Sequence, residues 1–298
     1  MQNYLGESAA LLTAIFWTVT ALAFERASMK VGSLSVNIIR LFLGMIFLTI
    51  FSWIHRGLPL PLDASADNWI WLILSGLVGF VFGDLFLFKS YTIIGSRFAM
   101  LIMTLVPPIT ALTGWLILGE TLSLMNYLGM ALTIGGISLA IFSRSNGEKK
   151  LRLKLSAKGI LFAFGGAIGQ AVGLVLSKLG MKDYDPFAAT QIRIIAGMAG
   201  FTILVTVLGR WQRVRDAVRN ARGMMNITVG SFFGPFLGVS FSLLAVRYTT
   251  TGVASTIMAI VPVLIIPPAV LLFKQKVTWL EVVGALISVA GVTLMFIA

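Results

Sequence analysis

Ile39-Arg40-Leu41-Phe42-Leu43-Gly44-Met45 returns 153 residues later as Ile192-Arg193-Ile194-Ile195-Ala196-Gly197-Met198. An arginine set in an apolar run, preceded by isoleucine and followed by Gly-Met at one spacing, marks an internal duplication. Working outward, Val106-Pro107 returns as Val261-Pro262 at an offset of 155, and Gly79 and Gly83 return as Gly234 and Gly238 at the same offset. The repeated segments are long enough to cross a membrane. Two fused copies of a membrane-spanning unit are the usual architecture of a secondary transporter.

Composition supports the membrane reading. The 298 residues are 58% hydrophobic and 11% charged, with a mean hydropathy of +0.95; an ordinary soluble domain has about 25% charged residues. There is no cysteine and one histidine, His55, which removes thiol nucleophiles, disulfides and conventional zinc sites. No metal site and no cofactor is expected. The net charge of +12 comes from basic residues gathered in short loops, where they meet the anionic headgroups of a lipid bilayer. No Arg/Lys-rich soluble domain is present to hold nucleic acid. Met1–Glu7 carries no positive charge, and no A-x-A-like site closes the apolar run 8–24, so the N-terminus does not read as a cleavable signal.

The hydrophobic pattern predicts an all-α integral membrane protein with ten transmembrane helices, each of about 20 residues. The expected spans are 6–24, 33–54, 69–88, 98–118, 124–142, 157–177, 188–208, 224–246, 250–273 and 278–298. They divide into two five-helix repeats, residues 1–146 and 147–298. Because five is odd, the second repeat enters from the opposite face, and the repeats are inverted about an axis in the membrane plane. One face holds 17 basic residues and the other 4, namely Arg56, Lys178, Lys182 and Arg247. The positive-inside rule puts the richer face in the cytoplasm and both termini outside, with the bacterial cytoplasmic membrane as the expected location. Trp211, Val214 and Val218 follow helical spacing among five arginines in 210–222. This pattern reads either as an amphipathic helix in the headgroup layer or as a solvated basic loop. Residues 148–158 read as a tether between the halves.

A more specific pattern runs through spans 3 to 5: Phe88-Lys89-Ser90-Tyr91, Gly95, Val106-Pro107, Leu118-Gly119-Glu120, Leu128-Gly129 and Gly135-Gly136. The second copy has Arg247-Tyr248, Gly252, Val261-Pro262, Val283-Gly284 and Gly291. In this order, and twice over, the motifs resemble the EamA-type repeat of the drug/metabolite transporter superfamily across essentially the whole chain. The resemblance implies a ten-helix carrier of small metabolites, with helices 1–4 and 6–9 around a central cavity and helices 5 and 10 to the side. Relatives export amino acids or other polar metabolites, or carry nucleotide sugars or phosphorylated sugars. Two features depart from the family. Gly119-Glu120 becomes Lys274-Gln275 in the second copy, and the loop charges oppose the cytoplasmic termini of many relatives.

Five residues are candidates for substrate binding or translocation: Trp17, Arg40, Asp84, Gln170 and Arg193. Asp84, inside span 3, is the costliest, since a charge at the bilayer centre costs on the order of 2.5–3.5 kcal/mol. Its counterpart is Val239, so the fold does not require an acid there. It reads as an amine contact or coupling proton site, or as a carboxyl paired with an arginine. Arg40 and Arg193 can each hold a carboxylate or phosphate, or snorkel and tie loop carbonyls. Trp17 offers an apolar wall with one donor, or simple packing; Gln170 must find a partner, either a helix or a solute. Pro107 and Pro262 each remove a helical hydrogen bond and read as gating hinges or static kinks. The glycine ladders read as packing surfaces, and the chain is expected to be a monomer or weak homodimer.

These readings point to a secondary transporter exporting small polar metabolites such as amino acids. A flippase of lipid-linked or phosphorylated carrier molecules is the alternative; it would need a lateral opening lined by Arg40 or Arg193. An intramembrane enzyme is more remote. Phe82-Gly83-Asp84 matches part of a membrane aspartyl protease signature, but Val81 replaces its first glycine and no second intramembrane aspartate is present. No enzymatic activity is expected. A channel is disfavoured by the lack of an acidic ring or carbonyl filter sequence.

Overall fold

The computed structural model describes residues 4–146, 156–264 and 278–297. Every regular element among them is helical, as lipid requires of a chain that must satisfy its backbone groups within each segment. The first half contains α1 (Leu5–Val31), α2 (Ser33–Arg56) and α3 (Ala66–Gly76). A π-helical run, Leu77–Gly83, then leads into α4 (Asp84–Met103), followed by α5 (Val106–Leu118) and α6 (Leu124–Asn146). The second half contains α7 (Ala157–Met181), α8 (Pro186–Val207), the short α9 (Trp211–Arg219) and α10 (Ala221–Ser231). A second π-helical run, Phe232–Gly238, leads into α11 (Val239–Tyr248), α12 (Thr251–Met258) and α13 (Val261–Leu264); α14 is Trp279–Ile297.

Local chemistry sets the ends of these helices. Gly32 separates α1 from α2 at a φ of +83°, which only glycine adopts freely. Asp185 caps α8 by accepting from the Ala188 N–H at 2.9 Å, and Pro186 opens its first turn. Seven stretches are long and apolar enough to span a bilayer: α1, α2, Ala66–Ser90, α7, α8, Ala221–Tyr248 and Trp279–Phe296. Shorter apolar helices cover Val106–Leu118 and Leu124–Ala140. The protein is therefore an integral, multi-pass membrane protein.

Two expectations are redrawn. Spans 69–88 and 98–118 are not separated by a loop, because helix runs from Ala66 to Met103 and breaks at Thr104–Leu105. No proline lies between Lys89 and Met103, and Gly95 alone costs a helix only about 1 kcal/mol. Pro107 accordingly stands in the first turn of α5, where its missing N–H had no partner to lose. It starts a helix after a break instead of kinking one in mid-course. The same break recurs at Ala259–Ile260, just before Pro262 in α13. The end of the ninth span, with Pro267 and Pro268, and most of the 148–158 tether lie outside the described residues, so seven spans and two shorter apolar helices, not ten spans, are found among those described.

The two π-helical runs were not anticipated. They repeat residue for residue at the 155 offset, 77–83 and 232–238, so the duplication extends to a local distortion of the backbone. The halves also run in opposite directions. α1 starts beside α14, with the Tyr4 and Phe296 rings 6.2 Å apart, and ends at Val31 beside Gly223. α7 starts beside Ile94 and ends at the face where Lys178 bonds the Thr249 carbonyl. Thr249 also packs on Gly6, near the start of α1. We call this the terminal face, and the face holding Val31, Lys89 and Gly159 the basic face.

Glycines bring the halves together. Gly169 of α7 lies on Gly83, where an added Cβ would sit 2.6 Å from the Gly83 Cα. Backbone cannot yield as a side chain does, so Gly169→Ala should cost about 1–3 kcal/mol by overpacking, read as thermal stability of the purified protein. Gly135→Ala has open space around it and should be tolerated. α6 and α14 spend their glycines on each other: Gly129 faces the Gly291 carbonyl and Gly136 the Gly284 carbonyl, an antiparallel small-residue contact.

Candidate functional site

Asp84 is the first residue after the first π-helical run, a distortion common at functional sites. It is only 4% exposed. Its Oδ2 pairs with Arg40 Nη2, and its Oδ1 accepts from Gln170 Nε2 at 3.1 Å. Three elements, α2, α4 and α7, thus meet at one carboxylate, and they come from both halves. The Arg40 guanidinium also lies 5.5 and 5.6 Å from the ring centroids of Phe24 and Phe88. A buried charge in these surroundings is tolerable only when paired and hydrogen-bonded.

Arg193 approaches from the other direction. It is 5% exposed, its guanidinium lies 4.9 Å from the Phe80 centroid, and its Nη2 rests against Gly79. Phe80 and Asp84 are one turn apart, which brings Arg193 beside the same stretch of helix as Asp84. Arg40 stands eight residues in from Gly32 at the basic face, and Arg193 eight in from Asp185 at the terminal face. At 1.5 Å per residue each reaches about 12 Å into the bundle. Arg40, Asp84, Gln170 and Arg193 therefore form one neighbourhood.

Trp17 goes elsewhere. Its indole lies on Gly238, so close that an added Cβ there would be 2.6 Å from the ring. Trp17 corresponds to Gly169 at an offset of 152, and Gly238 to Gly83. The two crossings between halves are thus equivalent in position and unlike in filling: glycine on glycine at one, glycine on indole at the other. Pro107 is buried in α5, and the side chain of Pro262 lies outside the described residues.

A cleft of about 130 Å³ opens between α2 and α4, lined by Ser33, Leu34, Asn37, Leu85, Phe88 and Lys89. It lies toward the basic face, with Asn37 one turn from Arg40 and Leu85 next to Asp84. Asn37 is 2% exposed, and its Oδ1 has no hydrogen-bond partner among the described residues.

The terminal face is tied shut by polar contacts that sequence reading missed. Glu120 Oε1 accepts from Lys178 Nζ at 2.6 Å, and its Oε2 accepts from the Thr251 backbone N–H at 2.8 Å and hydroxyl at 2.6 Å. Lys182 pairs with Asp67 at 2.5 Å, and Asn68 Nδ2 donates to the Gly180 carbonyl at 2.6 Å. Arg56 pairs with Asp63 at 2.5 Å, and the Tyr184 hydroxyl donates to Asp63 at 2.7 Å. The signal was present in the loop charges. Three of the four basic residues on this face have a carboxylate partner.

The Asp63–Tyr184 contact sets a pH window. Burial raises the Asp63 carboxyl, but the Tyr184 hydroxyl, its own backbone N–H and Arg56 outweigh this and hold it below the usual carboxylate range. Burial, then the bond to Asp63, pushes the Tyr184 phenol up to about 12. A depressed carboxyl contributes stability above its unfolded value of about 3.9 and loses it as pH falls through the folded value. A raised phenol contributes below about 10 and loses it as pH rises toward the folded value. This tie should hold from about pH 5 to 9. Asp63→Asn should lower the neutral plateau of thermal stability toward its acid value and so shrink the acid limb.

The model of the EamA-like transporter family matches residues 4–142 and again 157–297. The chain belongs to the EamA-like transporter family. It is accordingly a transporter of the drug/metabolite type. Solved structures share the fold of this EamA-type chain; one crystal structure aligns with a TM-score of 0.73 at 16% identity, over 97% of this chain and 95% of the other. Comparison with curated proteins gave no significant match.

Proposed function

We propose that this EamA-type transporter is a secondary carrier that exports small polar metabolites such as amino acids. The solute binds at the Asp84 cluster, and the two halves, residues 1–146 and 147–298, rock about it. The observation that carries this reading is the buried carboxylate shared by Arg40 of the first half and Gln170 of the second. A polar cluster spanning two inverted halves is costly in lipid, and relative motion of the halves would expose it to either side.

Loop charge puts the basic face in the cytoplasm and the termini outside. With the terminal face tied and the cleft beside Asn37 lying on the basic-face side of the cluster, this conformer suits loading from inside, as export requires. The five arginines around α9 would rest on anionic headgroups at that face. A flippase would need Arg40 or Arg193 on a lateral opening; both are under a tenth exposed, which favours a small solute.

The test is counterflow in proteoliposomes loaded with single amino acids, sugars or organic acids. Saturable uptake of labelled solute, accelerated by the same solute inside, is expected for at least one of them. Flux that stays linear and unaccelerated for every solute would remove the carrier reading.

A further inference from the structure

We infer that Arg193 is the docking point for a carboxylate of the transported solute, which takes the place of an acid that the second repeat lacks. This rests on the carrier reading above and names the chemistry at its site. The duplication gives each half an arginine, Arg40 and Arg193, but only the first half an acid, because Asp84 corresponds to Val239. Asp84 is already engaged: Arg40 pairs with one oxygen, and Gln170 donates to the other. Arg193 is buried at 5% exposure, and among the described residues no carboxylate pairs with it and its Nε has no hydrogen-bond partner. The face of Phe80 and the backbone at Gly79 lie against its guanidinium.

Two guanidinium groups against one carboxylate leave one surplus positive charge in the cluster. A buried guanidinium without a counter-ion is costly, and Phe80 offsets that only in part. A carboxylate on the solute supplies the missing counter-ion at Arg193, and the planar fork of arginine matches it bidentately. A phosphate dianion would overshoot the balance. Gly79 belongs to the same arrangement, because a Cβ there would stand 3.1 Å from Arg193 Nη2. The absent side chain leaves the guanidinium its position against the helix.

The test measures apparent affinity from thermal stabilisation of the full-length protein. The probes are matched pairs: lactate and lactamide, threonine and threoninamide, phenylalanine and phenylalaninamide, with inorganic phosphate alongside. The acid of at least one pair should bind about tenfold or more tightly than its amide, the scale of a charge-assisted bidentate contact. Arg193→Gln should bring that ratio close to one, Arg193→Lys should restore part of it, and Gly79→Ala should lower it by crowding the guanidinium. Should Arg193→Gln fail to fold, the wild-type ratio and Gly79→Ala decide. Amides binding as well as acids, a ratio unchanged in Arg193→Gln, or phosphate outbinding every carboxylate would overturn the assignment. If only the amides bind, this inference falls and the carrier reading stands; if nothing binds and counterflow is absent, both fall.

Discussion

Asp84→Asn should stop counterflow and lower the stability of the purified protein by about 3 kcal/mol, the low end of the cost of removing one member of a buried ion pair. The amide is nearly isosteric, so the loss would be electrostatic. Arg40 would keep its position with no countercharge, and the Gln170 amide would face a weaker acceptor. The double variant Arg40→Met/Asp84→Leu removes both charges and should recover much of the stability while transport stays absent. That split separates a folding role from a transport role. Asp84→Asn with full counterflow and unchanged pH dependence would take Asp84 out of the mechanism.

Glu120→Ala should shift the resting conformation toward opening of the terminal face. Three donors converge on this carboxylate, two of them from Thr251 and one from Lys178. Glu120 belongs to the first half and all three donors to the second, so it holds the halves together at one rim. Losing it should move the open–closed equilibrium by about 2 kcal/mol, or roughly 30-fold. The chain has no cysteine, so a single reporter is unambiguous. Ser52, fully buried near the terminal end of α2 and bonded to Gln191 at 3.3 Å, is a suitable site. Ser52→Cys should resist a water-soluble maleimide in the parent and react in Glu120→Ala. Equal labelling in both would show that Glu120 is not a tie. The second repeat carries Gln275 at the position of Glu120, and an amide there cannot form the equivalent ion pair.

Much of the fold was legible because lipid imposes simple rules on sequence. Long apolar runs, an arginine repeated at a fixed offset and an odd helix count gave the two inverted halves. The polar cluster was legible for the same reason: Asp84, Arg40, Gln170 and Arg193 are expensive in a bilayer, and expensive residues seek each other. Trp17 was grouped with them by depth alone. Depth along a helix says nothing about azimuth, and its indole faces Gly238 instead. The π-helical runs escaped because periodicity assumes 3.6 residues per turn; the recurring Gly79/Gly83 and Gly234/Gly238 pairs marked the place without revealing the geometry. The span 98–118 puts Pro107 in mid-helix, but helix continuing through Met103 moves the break to just before it. Glu120 read as a helix end, since nothing local announces that Lys178 and Thr251, 58 and 131 residues away, converge on it.

Reciprocal movement of the two faces is the central claim, and paired distances test it most directly. Spin labels at Leu62→Cys and Asp183→Cys report on the terminal face, and labels at Lys30→Cys and Lys158→Cys on the basic face; all four positions are exposed. In proteoliposomes, saturation with a solute that shows counterflow should lengthen the terminal-face distance and shorten the basic-face distance. Distances that stay fixed at both faces, or that lengthen at both together as in a channel, would contradict it.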